Sequence, residues 1–141
     1  MENKSTSDLN EELMSESDID TYISHNRDFF AQRDISELLS QLYDKKAISK
    51  AALARKAGMS EVYLHQVFSG RRKPSRDRLI CLCLGMGASL EETQQLLRQA
   101  AYAQLYPRNK RDAIINHGIL HHTELSDIND KLFAENEKTL L

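Results

Sequence analysis

Ser49 to Pro74 reads SKAALARKAGMSEVYLHQVFSGRRKP, and the spacing of its small and apolar residues decides the fold. Leu53, Ala57, Met59, Leu64 and Val67 stand where two short helices crossing at a sharp angle would bury side chains between them. Ala54 falls where the second helix presses on the first, so a side chain larger than methyl would drive the pair apart. Gly58 occupies the turn, which needs a left-handed backbone that glycine adopts without steric cost. Ser60 is placed to cap the next helix by accepting a hydrogen bond from an orphan backbone N–H. Eight residues of the required type within about fifteen positions form a far more specific signal than any single match.

Upstream, Asp34 and Glu37 make a capping-box pair, and Ile35, Leu38, Leu39, Leu42 and Tyr43 follow on one face of a helix. Lys45, Lys46 and Lys50 flank the connection to Ser49, either near a phosphate or simply solvated. Downstream, Ser75 is the cap of a helix whose Leu79, Ile80, Leu82, Cys83, Leu84 and Met86 are apolar nearly all round, which predicts a central buried position. Ser89 and Glu92 form another capping box, with Leu90, Leu96, Leu97, Ala100 and Ala101 as the inner face of a helix ended by Tyr106-Pro107. Two further helices are expected, one carrying Ile114, Ile115, Ile119 and Leu120 and the last carrying Leu125, Ile128, Leu132 and Phe133.

Residues 34 to 90 resemble the Xre/Cro-type (lambda repressor-like) helix-turn-helix family. The phrase YLHQVFSGRRKPSRDRL carries most of the likeness, an aromatic-containing helix leading into a Ser-Gly loop and a basic run. SLEETQQLLRQAAYAQLYPRNKRDAII resembles the C-terminal extension of a bacterial subset of that family. The resemblance implies five short helices in a compact domain, with the third lying in the major groove of double-stranded DNA.

Charge distribution agrees with that implication. The formal net charge is −2, but residues 1 to 20 hold seven acids and one base, whereas residues 21 to 120 hold sixteen bases and nine acids. Lys45 to Arg78 contains ten bases against Glu61 and Asp77, the footprint expected of a phosphate-binding face. On the helix from Ser60 to about Phe68, the outward residues are Ser60, Glu61, Val62, His65 and Gln66. Gln66 can pair bidentately with adenine, Glu61 can accept from cytosine, and Val62 can pack on a thymine methyl. His65 is open to base, phosphate or plain solvent. Arg71 and Arg72, with Lys73 and Lys50, are the candidates for phosphate contacts, and Arg76 and Arg78 are lesser ones.

Other chemistries find little support. With 141 residues, 40% apolar content, two prolines and five glycines, the chain reads as one all-α core. No stretch has the roughly 18 consecutive apolar residues of a membrane span, and the acidic N-terminus is unlike a signal peptide, so no membrane contact and a cytoplasmic location are expected. Cys81 and Cys83 point to opposite sides of a helix and read as small core hydrophobes. His117 and His121 share a helix face, but no supporting ligand stands near them, so no metal or cofactor is expected. No phosphate loop or nucleophile motif suggests an enzyme.

The expected organisation is a disordered acidic tail over 1–18 and an amphipathic segment over 19–33. A helix-turn-helix domain over 34–106 and a helical extension over 107–141, packed on the core or on a partner, complete it. The reading that follows is a sequence-specific transcriptional regulator acting on DNA as a homodimer, with the extension able to dock another protein. The alternative is an adaptor or antitoxin-like module that keeps the fold and does not use DNA.

Overall fold

The computed structural model describes residues 5–26 and 35–141, and among these the secondary structure is helical throughout. Two compact units form, one within residues 1–32 and the other from Arg33 to Leu141.

In the first unit, α1 (Thr6–Ser15) and α2 (Ile19–His25) are joined by a short bend. The acidic, polar composition of residues 1–18 predicts disorder, yet most of this stretch is helix. Its local cause is a complete capping box: the Ser5 hydroxyl accepts from Asp8 N–H at 3.1 Å, and the Asp8 carboxylate accepts from Ser5 N–H at 3.2 Å. Asp18 caps α2 with its side chain alone, accepting from Asp20 N–H. Asn26 donates to the Glu12 carboxylate and to the Tyr22 carbonyl, tying the two helices together. Of the apolar residues expected to line an amphipathic segment over 19–33, Tyr22 is buried, whereas Ile19 and Ile23 are exposed. Phe29 and Phe30, like the Asp34 cap, lie outside the described residues.

The second unit contains α3 (Ile35–Asp44), α4 (Lys50–Lys56), α5 (Glu61–Phe68), α6 (Arg76–Met86), α7 (Leu90–Gln99), α8 (Lys110–Leu120) and α9 (Leu125–Ala134). Helices as short as α4 and α5 would not persist alone in water, where roughly 12–15 residues are needed even for good helix formers. Packing and caps hold them. Leu53, Leu64 and Val67 are fully buried, and each buried aliphatic side chain contributes on the order of 1.5–3 kcal/mol. Ser49, Ser60, Ser75 and Ser89 each accept a backbone N–H at the start of α4, α5, α6 and α7.

α6 is the central helix, with Leu79 to Cys83 buried without a break. Its Gly85 lets α4 approach closely: a Cβ there would stand 2.8 Å from Leu53 Cδ1 and 3.3 Å from the Ala57 backbone nitrogen. Helix α7 stops at Gln99, well before Tyr106-Pro107, and Ala101 is exposed in a left-handed conformation at φ +63° rather than on the inner face. The ending is made by the backbone, since Tyr102 N–H turns back to the Leu97 carbonyl at 2.8 Å.

The extension is built into this unit. Leu105 and Leu140 are both buried, and each backbone is clamped by one amide side chain. Gln94 accepts from Leu105 N–H and donates to its carbonyl, and Asn129 does the same for Leu140. Gly118 allows α8 and α9 to touch, because a Cβ there would lie 2.4 Å from Ile128 Cδ1. Ile115, Ile119, Leu125, Ile128 and Leu132 face inward as expected, but Leu120 and Phe133 point to solvent.

Candidate nucleic-acid interface

The turn between α4 and α5 is fixed by backbone geometry. Gly58 has φ +68°, and Met59 N–H reaches back to the Ala54 carbonyl at 3.0 Å, closing the end of α4. Ser60 then accepts from Tyr63 N–H at 3.1 Å and starts α5 in a new direction. Leu64 and Val67 anchor α5 to the core, which leaves Ser60, Glu61, Val62 and His65 exposed and Gln66 half-buried. Val62 is 69% exposed, so its methyls are available to an apolar partner. Glu61 sits in the first turn of α5, where its negative charge complements the helix dipole whether or not it meets a base.

The loop after α5 turns on Gly70, at φ +81°. Both Arg71 N–H and Arg72 N–H donate to the Gln66 carbonyl, at 2.9 and 3.2 Å, which folds the loop back on α5. Farther on, Pro74 is buried and its carbonyl accepts from Tyr102 Oη at 2.6 Å. Burial raises the Tyr102 phenol above its ordinary value, in keeping with a hydroxyl that must stay protonated to donate. The loop is thus held at both ends while the side chains of Arg71 and Arg72 stand exposed. Neither pairs with a carboxylate among the described residues.

Cations border α5 on two sides. At its C-terminal end, Lys50 Nζ lies 3.9 Å from the centre of the Phe68 ring and 4.7 Å from that of Tyr43. Nearer the middle, Tyr63 carries the Arg78 guanidinium at 4.4 Å and that of Arg72 at 6.0 Å. Aromatic faces hold these cations in place without neutralising them.

Three other basic residues are engaged elsewhere. Arg76, expected to reach phosphate, is turned away by three partners: Nε donates to the Ala103 carbonyl at 2.8 Å, and Nη2 donates to the Gln104 carbonyl and to Asp112 Oδ2 at 3.1 Å. Asp112 is buried, and it also accepts from Tyr106 N–H, so the pair closes α6 against the start of α8. Lys73 donates to the Ala100 carbonyl at 3.0 Å and lies over Tyr102, which places it at the base of the loop. Lys46 pairs with Glu92 at 2.9 Å. The Ser89 backbone N–H and then Lys46 hold the Glu92 carboxyl below its ordinary range.

Sequence reasoning did not find the companion of the Arg76 pair. Arg111 donates to both Asp77 oxygens at 3.0 Å and also to the Lys138 and Thr139 carbonyls. Asp77 follows Arg76 and Asp112 follows Arg111, so two crossed pairs join α6 to α8. Opposite charges at adjacent positions were visible, but nothing local linked residues more than thirty apart.

The two cysteines are free and buried, and burial pushes both thiols up to about 12, which makes them poor nucleophiles. Among the described residues no group of His, Cys, Asp or Glu has the arrangement of a metal site, and no helix is long and apolar enough to cross a membrane.

A family model for a helix-turn-helix domain matches residues 34–96, from the start of α3 through most of α7. The chain therefore carries a helix-turn-helix domain, with α4 and α5 as its two helices. No curated protein and no solved structure matches the chain.

Proposed function

We propose that the protein is a sequence-specific DNA-binding regulator of Xre type that places α5 in the major groove. The observation carrying this reading is the exposed face of α5, bordered by cations that no carboxylate among the described residues neutralises. Ser60, Glu61, Val62, His65 and Gln66 are the base-reading set, and Arg71, Arg72 and Lys50 position the phosphate backbone. Arg78, held over Tyr63 beside Arg72, joins the phosphate set. Lys73 supports the loop and Arg76 supports the fold. A single helix of this kind reads one half-site, so the working form is a homodimer on a two-fold operator, in the cytoplasm.

Charge reversal tests the assignment. Arg71→Glu combined with Arg72→Glu is expected to lower DNA affinity by at least about a hundredfold at low salt and to flatten the salt dependence by about two counterions. Far-UV circular dichroism and the Tm should stay close to wild-type values, because neither side chain pairs with a carboxylate among the described residues and Arg72 meets Tyr63 only at 6.0 Å. DNA binding that survives the double reversal would show the face to be wrongly placed.

A second reading, a protein-docking module, is favoured by one feature of the extension. Phe133 is 78% exposed on α9, at a position whose periodicity predicts burial. Loss of a partner on Phe133→Ala, in a protein that binds no duplex, would support it over the first.

A further inference from the structure

A large cavity lies away from α5, between the α3–α4 connection, the end of α4, the end of α6 and the start of α9. It is a half-open groove of about 930 Å³, at the upper end of the roughly 300–1,000 Å³ that small-molecule sites occupy. Leu84 and Leu125 contribute apolar wall, and the turn residue Gly58 stands in it. Lys45, Arg55 and Lys56 also line it, all three exposed and none paired with a carboxylate among the described residues. Lys46 lines it too but is neutralised by Glu92, and among the described residues Glu124 is the one carboxylate side chain in the wall. An apolar wall beside an excess of unpaired cations fits a ligand with two ends.

We propose that this groove binds a small amphiphilic organic anion, its apolar body against Leu84 and Leu125 and its carboxylate, sulfonate or phosphate head among Lys45, Arg55 and Lys56. These cations are distinct from Arg71, Arg72 and Lys50, so the site stands whether or not α5 binds DNA. An uncharged amphiphile of the same length would gain the apolar contact and lose the attraction to the cations. A compact inorganic anion would do the reverse.

Fluorescence titration of the full chain with anilinonaphthalene sulfonate, a probe with an apolar body and an anionic head, tests the site without DNA. Saturable binding at one probe per chain is expected, with displacement by decanoate at least about tenfold more effective than by decanol. Lys45→Glu with Lys56→Glu, two exposed positions, should weaken both probe and decanoate by about tenfold or more while the circular dichroism spectrum stays unchanged. Absence of saturable binding overturns the proposal. So does equal displacement by decanol and decanoate, or a folded double variant that binds the probe as tightly as wild type.

Discussion

Two pairs of arginines, Arg71 with Arg72 and Arg76 with Arg111, do opposite things. Arg71 and Arg72 leave a loop pinned at Gln66 and Pro74 and stay exposed, Arg72 passing over Tyr63 and neither meeting a carboxylate among the described residues. Arg76, only four residues on, is folded inward onto Asp112, and Arg111 reaches back onto Asp77. Identical chemistry leaves exposed cations in one place and builds a structural seam in the other. What decides is whether the fold brings a carboxylate within reach. A count of positive charge therefore measures how much is present and says nothing of where it points.

The comparison yields opposite signatures for the two groups. Reversal of Arg71 and Arg72 should change binding and leave stability alone, and that is the largest effect expected. Arg111→Ala should do the converse. Its guanidinium carries four hydrogen bonds, and Asp77 would be left partly buried with only Lys138, at 3.9 Å, nearby. A loss of about 2–3 kcal/mol in denaturant unfolding is expected. The affinity of the folded fraction for DNA should stay within about twofold, since no base or phosphate contact is removed. Destabilisation below about 0.5 kcal/mol would mean that the seam is no stronger than an ordinary surface ion pair.

A smaller effect distinguishes Lys46 from its neighbours Lys45 and Lys50. The Glu92 carboxyl is held below its ordinary value of 4.5 by Ser89 N–H and Lys46. A carboxyl whose folded pKa is depressed stabilises the fold above the unfolded value and loses that contribution as pH falls through the folded one. Stability should therefore decline on acidification below about pH 5, and Glu92→Gln should make that decline shallower. An unchanged acid limb in Glu92→Gln would remove Lys46–Glu92 from the forces holding α7 to the α3–α4 connection.

Features encoded by neighbouring residues were legible in the sequence. The serine caps at Ser60, Ser75 and Ser89, Gly58 at the turn and the span of α5 follow from spacing over three or four positions, and the structure places them there. Burial all round α6 was equally plain, because no polar face interrupts Leu79 to Cys83. What escaped was set by long-range contacts or by backbone alone. Arg76 could not be removed from the phosphate set without knowing that Asp112 lies beside it. The early stop of α7 depends on Ala101 entering a conformation that its side chain disfavours. Composition argued for disorder at residues 1–18 because it averages over the Ser5–Asp8 box, which acts at one position. Phe133 matched the helical period and still faces solvent, since Ile128 and Leu132 already fill the inner face of α9.

The most direct measurement is selection of bound sequences from a pool of random duplexes, followed by titration of the enriched duplex and a scrambled control across salt. A two-fold site bound at least about a thousandfold more tightly than the control is expected, with base preferences that shift on Gln66→Ala. Equal, weak and salt-sensitive binding to every duplex would contradict a reading helix in α5 and reduce the basic face to general electrostatic attraction.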